Sequence, residues 1–259
     1  MATALIGGLL QQGAKPGDLR VVDVSEPARQ RLQQQFGVRT APAVEGEIAE
    51  DAVLLAVKPQ QMRAVAKDLG ARLSGQLVIS IAAGIRTADL ARWLRGHERI
   101  VRVMPNTPAL IQSGVSGLFA AASVKQADRD SAQSILGAVG GVVWVQSESH
   151  IDAVTAVSGS GPAYVFYFIE ALEQAALELG LTARQALELA VQTFVGAAKL
   201  AAGSDEPVAV LRARVTSRAG TTEAALKTME ANGVKRKIVE AVHAAARRSR
   251  ELGDEFGKD

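Results

Sequence analysis

The segment Val78-Ile79-Ser80-Ile81-Ala82-Ala83-Gly84 decides the fold of this chain. Its first five residues are almost entirely apolar, and they lead into a turn of small residues. The segment Val53-Leu54-Leu55-Ala56-Val57 has the same character. Runs that are apolar on both faces are typical of interior strands in a parallel sheet that helices cover on both sides. We therefore place both segments at the centre of a sheet.

Short β-rich runs alternate with helical patterns from about residue 20 to residue 146. This alternation indicates βα units and predicts an α/β domain with a largely parallel sheet. The predicted strands are Arg20 to Val24, Ala52 to Val57, Leu77 to Ala82, Arg99 to Met104, Gly117 to Phe119 and Val142 to Val145.

The second half of the chain has a different pattern. After Ile151, Ala-rich and Leu-rich helical periodicity replaces the strand pattern, so we predict an α/β domain over residues 1–150 and an all-α domain over residues 151–259. The predicted helices are 162 to 179, 182 to 202, 207 to 213, 221 to 231 and 235 to 252.

The helices of the second half are apolar around much of their circumference, as in Ala186 to Val191 and Phe194 to Ala198. A domain of about 110 residues has little interior in which to bury such helices. The pattern predicts an obligate homo-oligomer, with a compact monomeric bundle as the alternative.

Composition excludes several classes of protein. The formal net charge of +2 argues against nucleic acid as the main partner. No apolar run reaches the roughly 20 residues of a membrane span, and no signal-peptide pattern is present, so we expect a cytoplasmic protein. The chain has no cysteine, and its three histidines are far apart in sequence, so we expect no metal site.

Small-residue turns follow three of the predicted strands. They are Val57-Lys58-Pro59-Gln60, Ala82-Ala83-Gly84 and Pro105-Asn106-Thr107-Pro108. Open α/β sheets bind ligands at the carboxyl ends of their strands, where small side chains let a flat cofactor lie against the backbone. Each turn alone is explained by ordinary turn chemistry. Three at successive strand ends predict a dinucleotide site, in which Asn106 and Thr107 can hydrogen-bond the cofactor.

Asp23 lies near the end of the first predicted strand, where an acidic side chain commonly accepts hydrogen bonds from an adenosine ribose. That position favours NAD. Ser25, Arg29 and Arg31 follow closely and could bind the 2′-phosphate of NADP, and an Asp before a turn often only caps it. The sequence therefore leaves NADH and NADPH open.

Two loops rich in hydroxyl and small residues lead directly into predicted helices. They are Val157-Ser158-Gly159-Ser160-Gly161-Pro162 and Val215-Thr216-Ser217-Arg218-Ala219-Gly220-Thr221-Thr222. Backbone N–H groups at a helix N-terminus, with hydroxyls beside them, can bind a carboxylate or a phosphate. Two such loops predict a site for an anionic small molecule.

The chain begins inside a predicted helix, Ala2 to Leu10. A dinucleotide-binding domain should begin with a strand and a Gly-rich turn about 20 residues before the acidic position. Removing some five buried apolar residues at roughly 2 kcal/mol each costs about 10 kcal/mol, comparable with the stability of a whole domain. We therefore expect a start codon assigned to an internal Met, or a truncation, rather than a natural loss.

Together these motifs resemble pyrroline-5-carboxylate reductase. The resemblance rests on Asp152 to Tyr164, Ala56 to Pro59, Met104 to Pro108 and the segments Val215 to Ser217 and Gly220 to Thr222. It runs in order over essentially the whole chain, with Met1 standing where the family has a Met just after its Gly-x-Gly turn. The family's N-terminal strand and that turn are absent from this chain.

The resemblance implies the reduction of 1-pyrroline-5-carboxylate to L-proline with NADPH or NADH, the last step of proline biosynthesis. It also implies a Rossmann domain, lacking its first strand here, and a helical domain that forms a homodimer and further a decamer. The implied cofactor contacts are Val57, Lys58, Pro59, Ala82, Ala83, Asn106 and Thr107. The implied substrate contacts are Ser217, Gly220, Thr221 and Thr222, and Ser160 at the junction between the domains.

Thr222 is our candidate catalytic residue, as the hydroxyl nearest the ring nitrogen and the carboxylate of the substrate. Capping the helix that starts there is its alternative role, and the two are compatible. For Lys58, the alternative to a cofactor contact is an ordinary solvated lysine in a turn. Arg218-Ala219 departs from the family, which has Pro or Lys followed by Gly. If this backbone needs a positive φ, Ala219 costs about 1 kcal/mol.

Two other functions compete with the reductase. One is a non-catalytic dimerising homologue that has lost cofactor binding, which predicts no upstream codons for the strand and the Gly-x-Gly turn. The other is a two-domain dehydrogenase of the hydroxyacid type, which would carry a catalytic Lys on its first interdomain helix. The segment after Gly161 has no Lys before Lys199, which argues against that class.

Overall fold

The computed structural model describes residues 1–258, which form two compact units. The first unit contains residues 1–160 together with the C-terminal residues from Ala245 onward, and the second contains residues 161–244. The predicted division into residues 1–150 and 151–259 stays a prediction. Within the first unit, the residues from Ala245 onward pack with residues 1–160.

The first unit is an α/β domain. Its strands are β1 (Arg20–Val22), β2 (Arg39–Ala41), β3 (Ala52–Leu55), β4 (Leu77–Ser80), β5 (Ile100–Met104), β6 (Gly114–Ala120) and β7 (Gly140–Trp144). Its helices are α1 (Ala2–Gln11), α2 (Glu26–Phe36), α3 (Pro59–Leu69), α4 (Thr87–Trp93), α5 (Gln126–Gly137) and α6 (His150–Val154).

The strands form two sheets. One has five strands in the order β3-β4-β5-β6-β7, and β1 pairs only with β2. All pairs are parallel except β5 with β6, which is antiparallel. All four residues of β4 are buried, as expected for a strand covered on both faces. The prediction that the segment Val53 to Val57 also lies at the centre of the sheet is wrong. Among the described residues β3 is an edge strand, because β1 and β2 form a separate sheet and do not pair with it. The largely parallel Rossmann-like sheet predicted from the sequence is confirmed.

The six predicted strands are present, with differences at their ends. The structure ends β1 at Val22 because the Asp23 carboxylate accepts the Ser25 N–H at 2.8 Å, and Ser25 then caps α2. The sequence does not reveal β2 because its three residues, Arg39, Thr40 and Ala41, include no large apolar side chain and none of them is fully buried, whereas β1, of the same length, contains two valines. Within the described residues no strand precedes α1. At the start of β1, Arg20 forms an ion pair with Glu50, with 3.2 Å between Arg20 Nε and Glu50 Oε1.

Glu148 connects a buried arginine of the sheet to the start of α4. Arg102 on β5 is 4% exposed and donates to Glu148 at 3.0 Å. Glu148 also accepts from the backbone N–H of Thr87 at 2.7 Å and from its hydroxyl at 2.8 Å. The carboxylate thus neutralises a buried cation and binds an otherwise unpaired N–H at a helix start.

The second unit is entirely helical among its described residues. It contains α7 (Gly161–Glu178), α8 (Ala183–Ala202), α9 (Val208–Arg214), α10 (Thr221–Ala231) and the first part of α11 (Val234–Phe256). All five predicted helices are confirmed to within a few residues. None of the residues of α7 is fully buried, although this helix is predominantly apolar. Among the described residues, no helix combines the length and apolar character needed to cross a bilayer.

The C-terminal part of α11 belongs to the first unit. Ser249 is buried and donates to Asp152 at 2.6 Å, and Arg86 pairs with Asp254 at 2.6 Å. Phe256 packs against the buried cluster that contains Ile85 and Trp93. These contacts make the last turns of the chain a structural part of the α/β unit.

One ion pair should set the acid stability of this unit. Arg99 makes a bidentate contact with the buried Asp128 and lowers the pKa of its carboxyl, chiefly through the hydrogen bond. Because the folded pKa lies below the unfolded one, the stabilisation is present above about pH 4 and is lost as the pH falls through the folded pKa. Replacing Arg99 with Met should raise the pKa of Asp128 and move acid unfolding to higher pH.

The measurement is the urea unfolding free energy between pH 3 and 7. Arg31→Met, which removes an exposed arginine from α2, is the control and should leave the acid limb in place. Equal acid limbs in the original chain and the Arg99 variant would contradict the assignment.

Candidate active site

The three predicted cofactor turns lie at one edge of the five-stranded sheet. The strands β3, β4 and β5 are neighbours and run parallel. Each is followed by one of the turns, so Val57, Ala82 and Asn106 lie beyond adjacent carboxyl ends. With about 4.8 Å between strands, the turns span roughly 10 Å. The structure therefore places the three predicted turns side by side.

The first turn begins a helix. Lys58 occupies the N-cap position of α3 and Pro59 its first turn, while Val57 is half-buried behind them. Lys58 is exposed, and the positive end of the helix dipole lies beside it. A cation and a helix N-terminus at a strand end are suited to an anionic group.

The second turn is built from small residues under steric constraint. Ala82 is 5% exposed and Ala83 is half-buried. Gly84 has φ +73°, and a Cβ there would lie 2.8 Å from the Phe256 ring. Only glycine satisfies both the backbone conformation and the close approach. The C-terminal segment therefore helps to shape this turn.

Asn106 in the third turn already has a structural role. Its side-chain oxygen accepts the Val115 N–H at 2.9 Å, which ties the turn to the start of β6. Thr107 is exposed at the start of a short 3-10 helix, Thr107–Ile111. The sequence predicted a cofactor contact for Asn106 and missed this clamp, which has no local sequence signal.

Asp23 and Ser25 connect β1 to α2. Besides binding the Ser25 N–H through its side chain, Asp23 accepts through its backbone oxygen from Arg29 at 2.7 Å. Ser25 accepts the Ala28 N–H at 3.4 Å as the helix N-cap. The predicted capping role and a compact Asp–Ser–Arg group are therefore both present.

Ser160 ends the first unit. It follows a π-helical turn, Thr155–Gly159, and its N–H donates to the Thr155 carbonyl at 2.8 Å. A Cβ on Gly159 would lie 2.7 Å from Met104 Cε, so this turn packs against the last residue of β5. Short π-helical turns occur frequently at functional sites. The segment Val157 to Pro162, predicted as an anion-binding loop, is therefore helical on both sides of Ser160, and the Ser160 N–H is already paired. This helical segment lies beside the turn that carries Asn106.

The second hydroxyl-rich loop belongs to the second unit, where the structure gathers Ser217, Gly220, Thr221 and Thr222 at the start of α10. The Gly220 N–H donates to the Ser217 carbonyl at 3.1 Å, and a Cβ on Gly220 would overlap the Ser217 hydroxyl. Helix hydrogen bonding begins with Ala224, whose N–H donates to Gly220 at 3.2 Å. The first amides of α10 therefore have no carbonyl one turn back to bind.

Ala219 has a left-handed backbone, with φ 58°. The backbone at this departure from the family therefore does have a positive φ. The Ala219 N–H donates to Glu223 at 2.7 Å. Glu223 has no distinguishing signal in the sequence, since a Glu in the first turn of a helix has an ordinary electrostatic explanation.

The residues of this site include no metal centre. Nowhere in residues 1–258 do three or more His, Asp or Glu side chains gather in a group that could hold a metal ion.

Comparisons with known proteins agree with this arrangement. Residues 148–252 match the family profile for pyrroline-5-carboxylate reductase dimerisation, and residues 1–84 match the profile for coenzyme F420-dependent NADP oxidoreductase. The pyrroline-5-carboxylate reductase of Pseudomonas aeruginosa is 45% identical over 260 residues, covering 100% of this chain and 95% of that protein.

Solved structures of the same kind superpose closely. A pyrroline-5-carboxylate reductase from Coxiella burnetii has a TM-score of 0.93 at 41% identity, covering 97% of this chain and 94% of that one. The Plasmodium falciparum pyrroline carboxylate reductase with NADP bound has a TM-score of 0.80 at 30% identity, covering 96% of this chain and 95% of that one.

A Rossmann-like unit with small-residue turns at its strand ends and a helical second unit define the class of two-domain, nicotinamide-dependent oxidoreductases. Within that class, full-length similarity at 45% identity is decisive. The chain belongs to the pyrroline-5-carboxylate reductase family.

The strain at Ala219 is open to measurement. Because glycine adopts positive φ without a steric penalty, Ala219→Gly should stabilise the chain by up to about 1 kcal/mol and lower the Michaelis constant for the substrate severalfold. The control is Ala225→Gly on the exposed face of α10, which should instead destabilise the chain by about 1 kcal/mol. Urea unfolding and steady-state kinetics give both quantities. Equal destabilisation by the two substitutions would contradict the strain.

Proposed function

We propose that this chain catalyses the NAD(P)H-dependent reduction of 1-pyrroline-5-carboxylate to L-proline, the last step of proline biosynthesis. The observation that carries the proposal is the similarity along the whole chain to reductases of that name. The geometry of the strand-end turns and of the Ser217–Thr222 loop supports it. No observation favours a non-catalytic homologue.

The residues at the sheet edge fit a nicotinamide dinucleotide. Ala82, Ala83 and Gly84 leave the backbone accessible to a flat ring, and Gly84 keeps that turn narrow. Lys58 and the N-terminus of α3 would meet an anionic diphosphate. Because Val115 occupies the side-chain oxygen of Asn106, Asn106 would bind the cofactor through its amide N–H₂ group. Val57, Pro59 and Thr107 would complete the contacts.

The Ser217–Thr222 loop would hold the substrate carboxylate. The unpaired first amides of α10, the positive end of its dipole and the hydroxyls of Ser217, Thr221 and Thr222 all suit an anion. Gly220 lets the Ser217 hydroxyl approach the helix start. Ser160, beside the end of β5, is proposed as a further substrate contact.

The reaction needs little acid strength from the protein. A hydride joins the imine carbon and a proton joins the nitrogen, so the C=N bond becomes CH–NH while the reduced nicotinamide is oxidised. The nicotinamide supplies the hydride when bound. Thr222 would direct its hydroxyl to the ring nitrogen, and the loop would fix the carboxylate, so catalysis would come mainly from positioning.

Arg29 and Ser25 favour NADPH as the better cofactor. Arg29 is held in the first turn of α2 by its hydrogen bond to the Asp23 backbone, and Ser25 is the N-cap of the same helix. An arginine and a hydroxyl at a helix N-terminus match a 2′-phosphate. The Asp23 side chain binds the Ser25 N–H, which reduces its availability to a ribose.

The active form would be a homodimer that assembles further into a decamer. The homodimer is supported by the dimerisation profile over residues 148–252 and by the apolar surface that the second unit leaves exposed, whereas the decamer rests on the family resemblance alone. Large exposed apolar side chains of α7 and α8 include Val165, Phe166, Tyr167, Leu172, Leu177, Leu187, Leu189, Val195 and Leu200. Surface of this kind marks protein interfaces. The cytoplasmic location stays a prediction.

The direct test is oxidation of NADPH and NADH by the purified chain with 1-pyrroline-5-carboxylate, with proline identified as the product. Thr222→Val, which keeps the shape and removes the hydroxyl, should lower kcat/KM by about tenfold to a hundredfold. Thr221→Val is the matched control and should have a smaller effect, while Thr222→Ser should retain most activity. A folded chain without activity would contradict the proposed function, and equal effects at the two positions would contradict the role of Thr222.

Cofactor preference has its own test. Arg29→Ala should raise the Michaelis constant for NADPH by about tenfold or more, the value of a charge-assisted hydrogen bond, and leave that for NADH nearly unchanged. Arg31→Ala removes the same charge from an exposed position of α2 and should have a smaller effect. Parallel changes for the two cofactors in Arg29→Ala would contradict a phosphate contact.

A further inference from the structure

Glu223 makes a contact that its position in the helix does not require. Its side chain reaches back to the loop and accepts the Ala219 N–H at 2.7 Å. Its other oxygen lies 3.3 Å from Lys227 Nζ, one turn further along α10. One carboxylate therefore joins the loop before the helix to the second turn of the helix.

The residue that Glu223 holds is the strained one. Of the described residues other than glycine, only Arg95, Gln112 and Ala219 have positive φ. A left-handed alanine persists only when its surroundings stabilise it. A hydrogen bond from a backbone N–H to an ionised carboxylate is about twice as strong as a neutral one. The contact with Glu223 is suited to offset the strain at Ala219.

We propose that Glu223 is a positioning residue for substrate binding, which holds Ala219 left-handed and so presents the first amides of α10 to the substrate carboxylate. The inference rests on the proposed function. Glu223 accepts the N–H of Ala219 and not an amide of its own helix. The amides of Thr221 and Thr222 therefore stay available to the substrate carboxylate. It acts on the substrate through the loop and does not contact it.

The charge of Glu223 is compatible with a neighbouring anion because two features offset it. Lys227 forms an i,i+4 ion pair with it, and the N-terminus of α10 places the positive end of the helix dipole in the same turn. The side chain of Glu223 is 30% exposed, whereas that of Lys227 is 71% exposed, so the carboxylate is the more confined partner. Glu223 thus stabilises the loop without a large repulsion of the substrate.

The experiment measures steady-state kinetics for Glu223→Ala and Glu223→Gln, each with the original alanine at position 219 and in the Ala219→Gly background. With the original alanine, Glu223→Ala should raise the Michaelis constant for 1-pyrroline-5-carboxylate about tenfold, with kcat and the value for NADPH changed less than twofold. Glu223→Gln keeps a neutral acceptor and should restore most of the loss. In the Ala219→Gly background, removal of Glu223 should cost about threefold or less, because glycine needs no help to adopt positive φ.

Two controls make the result specific. Glu230→Ala removes a negative charge from an exposed position near the end of α10 and should leave the Michaelis constant for the substrate unchanged. Hydrogen exchange of the peptide that contains Ala219 should become faster in Glu223→Ala and stay unchanged in Glu230→Ala. This second measurement follows the loop independently of activity.

The possible outcomes separate the two proposals. Absence of activity in the unsubstituted folded chain would contradict the proposed function and, with it, this inference. Activity in that chain would leave the reductase in place. An unchanged Michaelis constant in Glu223→Ala, or an equal loss with alanine and with glycine at position 219, would then overturn the role of Glu223 alone.

Discussion

The parallel pairing of β3, β4 and β5 is the constraint on which the rest of the α/β unit depends. Because the register sets Leu55 opposite Ser80 and Ser80 opposite Arg102, the carboxyl ends of the three strands meet at one edge. The turns that follow can then contribute to a single ligand site although they lie about 25 residues apart in sequence. The buried strand β4 holds this edge rigid and leaves the turns to carry the chemistry.

In the second unit, small residues shape the start of α10. A helix start binds an anion only if its first amides are accessible, and any side chain at Gly220 would displace the Ser217 hydroxyl. The chain therefore places a glycine where space is short, and next to it an alanine in a conformation that alanine rarely adopts. Local strain at a binding loop is tolerated when the surrounding contacts determine the conformation, as the carboxylate of Glu223 does here.

Much of this could be predicted from the sequence. The apolar runs of β3 and β4 and the helical periodicity after Ile151 depend on local pattern, which sequence shows directly. The strand β2, with the sequence Arg39-Thr40-Ala41, has no large apolar side chain to give such a signal. The clamp between Asn106 and Val115 and the buried pair of Arg102 and Glu148 join residues distant in sequence, so only the folded chain reveals them. The departure from the family at Ala219 is visible in the sequence. The hydrogen bond that Glu223 makes to it is not, because a Glu in the first turn of a helix is already explained by the helix dipole.

The return of the C-terminal segment to the α/β unit has a consequence for synthesis. Phe256 shapes the turn at Gly84, and Ser249 binds Asp152, so the first unit lacks part of its packing until the last residues are available. Domains that are continuous in sequence can fold on the ribosome as soon as they emerge. This unit cannot be completed in that order: its final contacts form only after the helical second unit, which lies between its two segments in sequence, has been synthesised.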